Sequence, residues 1–280
     1  MTAALERPLV TLPPRCGDVA PTTVLRADSW EHPGSFVSRS FTDPPLTGCE
    51  LVRFDPEIGF EPTSTAADSA TGLDVELSMP VEGVEDPEGV SQAHLRKTVV
   101  ELPEGVSVNP SAATGLEGCS DGQLALGTDD EPGCPDGSKI ASVEVTSPLL
   151  EETLSGVMVL RTPRSTDPMS GGMLRMALIV RNDERGLLVK LPGSATADPQ
   201  TGKITATFDE NPELPIATVK VHLKGGQRGV LAMPQDCGQR AIATELSPWK
   251  GAANVNANAR GFSDPFTVGG DCSSGFRSRT

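Results

Sequence analysis

Tyrosine is absent from this chain of 280 residues, and tryptophan and phenylalanine occur only 2 and 8 times. Large aromatic side chains offer broad contact area with a polar handle, and sugar-binding surfaces commonly depend on them. The shortage therefore argues against a lectin-like surface. Long apolar runs are also missing, since no stretch reaches the roughly 18 residues that a transmembrane helix needs. The sequence predicts no membrane insertion.

Basic residues are few, because 23 Lys and Arg stand against 38 Asp and Glu, which gives a net charge of −15. Nucleic acid requires a basic footprint for its phosphates, and an anionic membrane surface requires one for its headgroups. Both are excluded as partners. A charge excess of this size is typical of an acidic extracellular protein that repulsion keeps dispersed.

Histidine is also scarce, with His32, His94 and His222 far apart in the sequence. No His-Glu-x-x-His pattern and no Gly-x-Ser-x-Gly pattern occurs. The sequence predicts no catalytic residue and no cofactor. His222, flanked by Lys220 and Lys224, is expected on the solvated face of a strand. A Ser–His–Asp triad assembled from distant positions is the enzymatic alternative.

Proline and glycine are abundant, at 25 and 29 residues, and apolar and polar residues alternate along many short segments. Alternation with period two predicts strands that have one buried face. More continuous apolar runs at 98–102 and 154–161 predict central strands. The fold class is therefore all-β, an antiparallel β-sandwich that is Ig-like in general architecture. The alternating segments are 73–79, 141–146, 174–181, 187–191, 204–209 and 219–224.

Turn signals lie between these segments. Asp198-Pro-Gln-Thr-Gly202 carries proline and glycine where a tight turn between strands favours them. The stretch from Asn109 to Leu124 predicts one or two short helical turns, capped by Ser111 or Ser120.

A segment of about 40 residues occurs twice, at 12–49 and 233–272. The offset between the copies is 221 at the first cysteine and 223 at the second. Such ordered recurrence predicts that the chain belongs to a tandem array and that neighbouring repeats are its partners. The shared points are Cys16-Gly and Cys237-Gly, Thr22–Leu25 and Ala243–Leu246, Ser29-Trp30 and Ser247-Pro-Trp249, Phe41-Thr-Asp-Pro44 and Phe262-Ser-Asp-Pro265, and Cys49 and Cys272.

Six cysteines in three local pairs predict a disulfide framework and an oxidising, extracellular location. Among the connectivities that six cysteines allow, we predict Cys16–Cys49, Cys119–Cys134 and Cys237–Cys272. The repeat then divides the chain into a Cys-containing β module at 1–70, a central β-sandwich at 71–226 and a second Cys module at 227–280. Each repeated Trp is expected to pack against its disulfide. Residues 1–8 lack the pattern of a signal peptide, and we expect that signal upstream of this segment.

Several motifs resemble repeat domains of large, secreted, uncharacterised β-rich proteins of high-GC soil bacteria. They span about residues 12–272, nearly the whole chain. The resemblance implies an extracellular, multi-copy β protein without an assigned activity. The motifs include Leu102-Pro-Glu-Gly, Asn109-Pro-Ser-Ala-Ala, Gly115-Leu-Glu-Gly-Cys-Ser-Asp, Ser147-Pro-Leu-Leu, Val189-Lys-Leu-Pro-Gly, Lys224-Gly-Gly-Gln-Arg and Pro234-Gln-Asp-Cys-Gly.

An acidic loop near Cys134 is the candidate cation site, formed by Asp129, Asp130, Glu131 and Asp136. Calcium takes six to eight oxygen ligands, and the loop is acidic and stapled. It lacks the Asp-x-Asp-x-Asp-Gly spacing, however, so a solvated run of charge is the favoured interpretation.

Together these patterns favour a non-catalytic structural or adhesive module of a secreted or cell-surface protein, in which repetition supplies avidity. An extracellular hydrolase and a carbohydrate-binding module acting on polysaccharide are the alternatives. The carbohydrate-binding alternative requires exposed rings at Trp30, Trp249, Phe36 or Phe266.

Peptide mapping without reduction tests the cysteine pattern. On protein made in an oxidising compartment we expect three bridges, with Cys16–Cys49 equivalent to Cys237–Cys272, because each pair closes one copy of the repeat. A bridge that joins the two copies would contradict the repeat boundaries.

Overall fold

A computed structural model describes residues 20–84, 86, 88–249 and 258–272. The chain is all-β and antiparallel, as the alternation predicted. The strands are β1 (Thr22–Ser29), β2 (His32–Thr42), β3 (Glu57–Pro62), β4 (Ala70–Thr71), β5 (Leu73–Ser78), β6 (Leu95–Glu101), β7 (Ser107–Val108), β8 (Lys139–Thr146), β9 (Leu154–Arg161), β10 (Leu174–Asn182), β11 (Leu187–Ala197), β12 (Ile204–Phe208), β13 (Thr218–Leu223), β14 (Leu231–Ala232), β15 (Gly238–Pro248) and β16 (Arg260–Val268).

Among the described residues, helical structure is confined to short turns. The α-helix α1 comprises Asp121–Leu124, and 3-10 turns comprise Cys49–Leu51, Pro110–Ala113, Asp136–Ser138 and Gly226–Arg228. Ser120 caps α1 in a capping box with Gln123, as predicted. At the turn over Pro110–Ala113 the cap is Asn109 rather than Ser111, and its side chain accepts a hydrogen bond from the Ser111 amide.

Eleven strands form one sheet in the order β16-β15-β6-β12-β11-β10-β9-β8-β13-β5-β3. This sheet folds over itself into a near-barrel sandwich, and its two edges approach each other. The amide of Phe60 on β3 donates to Asp264 Oδ2 on β16 at 2.6 Å. Arg260 on β16 donates to the Phe54 carbonyl at 2.8 Å and to Asp55 at 2.7 Å. Smaller sheets pair β1 with β2 and β4 with β14 and β7.

The core contains apolar residues from strands that are distant in the sequence. One cluster joins Phe54, Leu77, Met79, Leu95 and Leu246. A second joins β5, β11 and β12 with β14, β15 and β16, and a third fills the space between β8, β9 and β10. Burial of this kind is the main favourable contribution to folding. The sandwich therefore depends on strands from both ends of the chain.

The closing hairpin, defined as β15 and β16, belongs to the same sheet as the central strands. Thr244 and Leu246 on β15 pair with Val100 and Thr98 on β6. Residues from the predicted module at 227–280 are therefore hydrogen-bonded into the predicted central sandwich at 71–226. This corrects the expectation that they form a flanking unit, because local alternation does not reveal which distant strand a hairpin joins.

In the described part of the chain, β1 and β2 of the first hairpin pair only with each other, and the hairpin is exposed along its whole length. Its register nevertheless matches that of the closing hairpin at a constant offset of 221 residues. The matching pairs are Thr22↔Thr42 with Ala243↔Ser263, Thr23↔Phe41 with Thr244↔Phe262, Val24↔Ser40 with Glu245↔Gly261, and Leu25↔Arg39 with Leu246↔Arg260.

The structure joins Cys119 to Cys134 and Cys237 to Cys272, with Cα separations of 5.0 and 5.5 Å, in the predicted pairs. Cys49 is also disulfide-bonded. Its predicted partner, Cys16, lies outside the described residues.

The predicted Trp–disulfide packing is wrong for Trp30, whose side chain is fully exposed at the turn of the first hairpin. Trp249 instead lies beneath the Arg96 guanidinium, 5.3 Å from the ring centroid, and its indole N–H donates to the Asn211 carbonyl at 2.9 Å.

Leu246→Ala tests the contribution of the closing hairpin to stability. Leu246 is fully buried, so its truncation should lower the free energy of unfolding by about 2–5 kcal/mol. The exposed neighbour provides the control, because Glu245→Ala should change stability by less than about 0.5 kcal/mol. Equal effects in urea unfolding would contradict the buried position of β15.

Candidate functional site

The acidic loop does not gather its carboxylates around one point. Glu131 accepts hydrogen bonds from Arg181 at 2.9 Å, and Asp136 accepts one from Lys139 at 2.5 Å. Asp130 accepts one from the Thr128 hydroxyl at 3.2 Å, and Asp129 is exposed. Within the described ranges, no group of three or more His, Cys, Asp or Glu is placed to hold a metal ion. The candidate calcium residues therefore do not share one site: two of them pair with separate basic side chains, and the other two do not.

Asp121, which sequence reasoning missed, is the anion at the centre of a cluster of three arginines. It accepts hydrogen bonds from Arg161 at 2.5 Å, from Arg175 at 2.8 Å and from Arg164. Arg161 and Arg175 are buried and face each other across β9 and β10. These hydrogen bonds, with that from Arg175 the largest, hold the pKa of Asp121 well below its ordinary value of 3.8.

The loop that carries Asp121 covers the outer face of the sheet. Leu124 and Cys119 pack there against Val159, Ala177 and Ile179, all of them buried. The alternation over residues 174–181 predicted a strand with one buried face, which leaves Arg175 on the other face. The structure corrects this prediction, since the stapled loop buries the second face of β10. A buried arginine needs an anionic partner, and Asp121 supplies it. The contacts of the Asp121 cluster therefore serve to stabilise the fold.

A shallow groove crosses the outer face of β3, β5, β13 and β8, and it contains the most chemically varied side chains. His222 lies between Asp74 on one neighbouring strand and Ser142 on the other, in one cross-strand row. The imidazole Nδ1 contacts the Asp74 carboxylate. In the adjacent row Lys220 lies between Glu76 and Glu144, with its ammonium 3.2 Å from Glu76. His222 is exposed, as predicted.

The Asp74–His222–Ser142 row has the residue types of a catalytic triad but lacks other parts of that machinery. Within the described residues, Ser142 and His222 share no hydrogen bond. All three strands are internal, so their backbone amides are engaged in sheet hydrogen bonds. An oxyanion requires free donors directed at it. The row therefore lacks both an activated nucleophile and an oxyanion hole.

The other histidines lie elsewhere. His94 is half-buried just before β6, and its partial burial lowers its pKa. His32 begins β2 in the exposed first hairpin. The structure therefore does not bring the three histidines together.

The first hairpin presents the largest set of exposed apolar side chains in the described part of the chain. Isolated surface apolar residues are normal, but a contiguous set marks an interaction surface. The exposed side chains are Val24, Leu25, Trp30, Phe36, Val37 and Phe41. A single cation–π contact covers one ring, with the Arg26 guanidinium 5.1 Å from the Phe36 centroid.

Comparison with known proteins gives little. No protein-family model and no curated protein matches the chain. One similar solved structure is the collagen binding domain of the Erysipelothrix rhusiopathiae surface protein RspB, with 8% sequence identity and a TM-score of 0.28. The match covers 89% of this chain and 59% of that one. A similarity at this level identifies neither topology nor ligand.

No helix among the described residues has the length and apolar character needed to cross a membrane.

Asp121→Asn tests the arginine cluster through its pH dependence. The lowered pKa means that the carboxylate stabilises the fold above about pH 3.8, and this contribution is lost as the pH falls toward the folded-state pKa. We therefore expect the melting temperature of the variant to lie below that of the wild type at pH 7. The gap should narrow below pH 3.8.

Asp129→Asn, in the same loop, is the matched control and should melt like the wild type at both pH values. A pH-independent gap for Asp121→Asn would contradict the electrostatic account.

Proposed function

We propose that this chain is a non-catalytic structural and adhesive module of a secreted or cell-surface repeat protein. The observation that carries the proposal is the duplicated hairpin. The chain contains two hairpins of matching register, one built into the sandwich and one exposed. Repetition of such units gives an extracellular protein reach and multiplies weak surface contacts.

The cysteines support the extracellular location. Both disulfides that join described residues close local loops, and Cys49 is also bridged. Disulfides persist in oxidising compartments and are rare in the cytosol. The net charge of −15 agrees with this location, because it disfavours adhesion to nucleic acid or anionic lipid. The resemblance to secreted repeat proteins of high-GC soil bacteria remains a prediction that agrees with the proposal.

An extracellular hydrolase is the alternative that the Asp74–His222–Ser142 row favours. The row lies on an open sheet face rather than in a cleft, and His222 and Asp74 are both exposed. Water has free access to these groups, which weakens electrostatic stabilisation of a transition state. The arrangement thus supports catalysis less well than it supports a surface role.

A carbohydrate-binding module is the second alternative, and the exposed rings of the first hairpin favour it. Trp30 is fully exposed, and Phe36 is half exposed. A flat ring of this kind can stack on a sugar face. A contact between modules accounts for the register of this hairpin as well as for its rings.

Binding to polysaccharide separates the three functions. The full chain, displayed on a tetravalent carrier, is incubated with insoluble cellulose and with peptidoglycan, and bound protein and released soluble sugar are both measured. We expect tetravalent display to raise retention on at least one probe by about 10²-fold over the single chain, without sugar release. His222→Ala and Trp30→Ala should leave this retention unchanged.

The alternatives predict other results. Sugar release that His222→Ala abolishes would establish a hydrolase, and retention that Trp30→Ala abolishes would establish a carbohydrate-binding module. Equal retention of single and tetravalent chains would contradict the adhesive role.

A further inference from the structure

Among the residues that the structure describes, the first hairpin has an apolar face without a partner. Cross-strand neighbours share a face, so Leu25, Val37 and Phe41 project to the same side, together with Thr23. Leu25 is 67% exposed and Phe41 is 66% exposed. A two-stranded hairpin alone is marginally stable in water. This face therefore requires a surface to cover it.

The closing hairpin shows what surface such a face fits. Leu246, the counterpart of Leu25, is fully buried beside Phe54 and Leu95, and Phe262, the counterpart of Phe41, packs against the same cluster. Thr244, the counterpart of Thr23, is 5% exposed. On the opposite face the counterpart of Val24 is Glu245, which is exposed. The two hairpins thus place matching residues on the face that one of them buries.

The residues that clamp the closing hairpin also have counterparts. Arg260 and Asp264 hold β16 to the β3 side of the sandwich, through Phe54, Asp55 and the Phe60 amide. At the same offset of 221 residues the first hairpin carries Arg39 and Asp43. The amide of Asp43 donates to the Pro21 carbonyl at 2.9 Å, which extends the shared register to the pair that corresponds to Ile242 and Asp264.

The tryptophans lie near the same end of the two hairpins but not at the shared offset, because they are 219 residues apart and Trp249 corresponds to Asp28. Trp249 follows β15 and lies under Arg96, with its indole N–H on the Asn211 carbonyl. Trp30 follows β1 and is fully exposed. The site that Trp249 occupies combines a cation, the Arg96 guanidinium, with a carbonyl acceptor, that of Asn211. An exposed ring with a free indole N–H suits such a site. The first hairpin thus carries an exposed ring two residues beyond the position that corresponds to Trp249.

We propose that the first hairpin closes the sandwich of a second module that resembles this one but lacks its own closing hairpin, by pairing β1 with the β6 strand of that module. The proposed pairs place Leu25 opposite Thr98 and Thr23 opposite Val100, as Leu246 and Thr244 are placed here. Arg39 and Asp43 then clamp the β3 side, and Trp30 enters the site beneath Arg96. The inference deepens the proposed repeat function, on which it rests, by naming the contact between neighbouring modules.

The first hairpin does not close its own module because that position is filled. Without β15, the strand β6 would be an edge of the sheet, bonded only to β12. An unpaired edge with apolar neighbours accepts a foreign strand through backbone hydrogen bonds. In this chain the closing hairpin already occupies that edge. The acceptor is therefore a separate module in which the β6 edge is open.

A hairpin-exchange variant of the full chain tests the fit. Residues 238–271 are replaced by a second copy of residues 17–48, between Cys237 and Cys272, and the original Trp30 is changed to Phe. The only tryptophan is then that of the transplanted hairpin. We expect a blue-shifted emission maximum, because this ring enters the Arg96 site, and a single cooperative urea transition that removes the shift.

Two substitutions in the transplanted copy test whether the hairpin docks specifically on the sandwich or is only tolerated at that position. Leu25→Asp, on the inward face, should abolish the blue shift and lower the transition midpoint. Val24→Glu, on the outward face, restores the residue type of Glu245 and should leave both unchanged. The proposal is overturned if the transplanted tryptophan emits as a solvent-exposed ring, or if the two substitutions have the same effect.

The exchange variant is independent of the polysaccharide assay. A blue shift without retention on cellulose or peptidoglycan would support module closure and contradict the adhesive role on these probes. Retention without a blue shift would support adhesion and overturn the closure of one module by the hairpin of another.

Discussion

An open sheet of eleven strands has two edges, and the stability of this fold depends on how they are closed. The edge strands β3 and β16 approach each other, where Asp264 receives the Phe60 amide and Arg260 bridges to Phe54 and Asp55. Both clamps belong to β16, so the closing hairpin fixes the curvature of the whole sheet. Its other strand, β15, covers β6 and delivers Leu246 to the core. Removing the hairpin would expose a strand edge and an apolar cluster together.

The duplication of the hairpin matters because the fold depends on the closing hairpin. One copy is buried as a structural part of the sandwich, and the other leaves the matching apolar residues, the matching Arg39 and a tryptophan near the same end exposed to solvent. The arginine cluster around Asp121 stabilises the stapled outer loop, and the histidine groove lies open on the sheet. Contact between modules therefore explains more of the exposed side chains than catalysis does.

Period-two alternation predicted the strands well, because a half-buried strand leaves its pattern in consecutive residues. The segments that became β5, β8, β10, β12 and β13 were all identified, as was the Ser120 cap. The join between β15 and β6 was not predicted, since residues about 150 apart meet through backbone groups that every residue carries. Asp121 was missed because its partners Arg161 and Arg175 occupy positions that usually face solvent. The repeat alone likewise did not reveal that Trp30 lies at a turn, and it suggested instead that the ring is buried.

Hydrogen exchange of the full monomeric chain tests the central claim most directly, because it compares the two hairpins within one molecule. Amides of β15 that face β6 should exchange only through global unfolding, while their counterparts in β1 should exchange far faster. Equal protection of the two hairpins in the monomer would contradict the account, because the first hairpin would then already be docked. Fast exchange throughout β15 would contradict it as well, since β6 would then be an open edge in this chain.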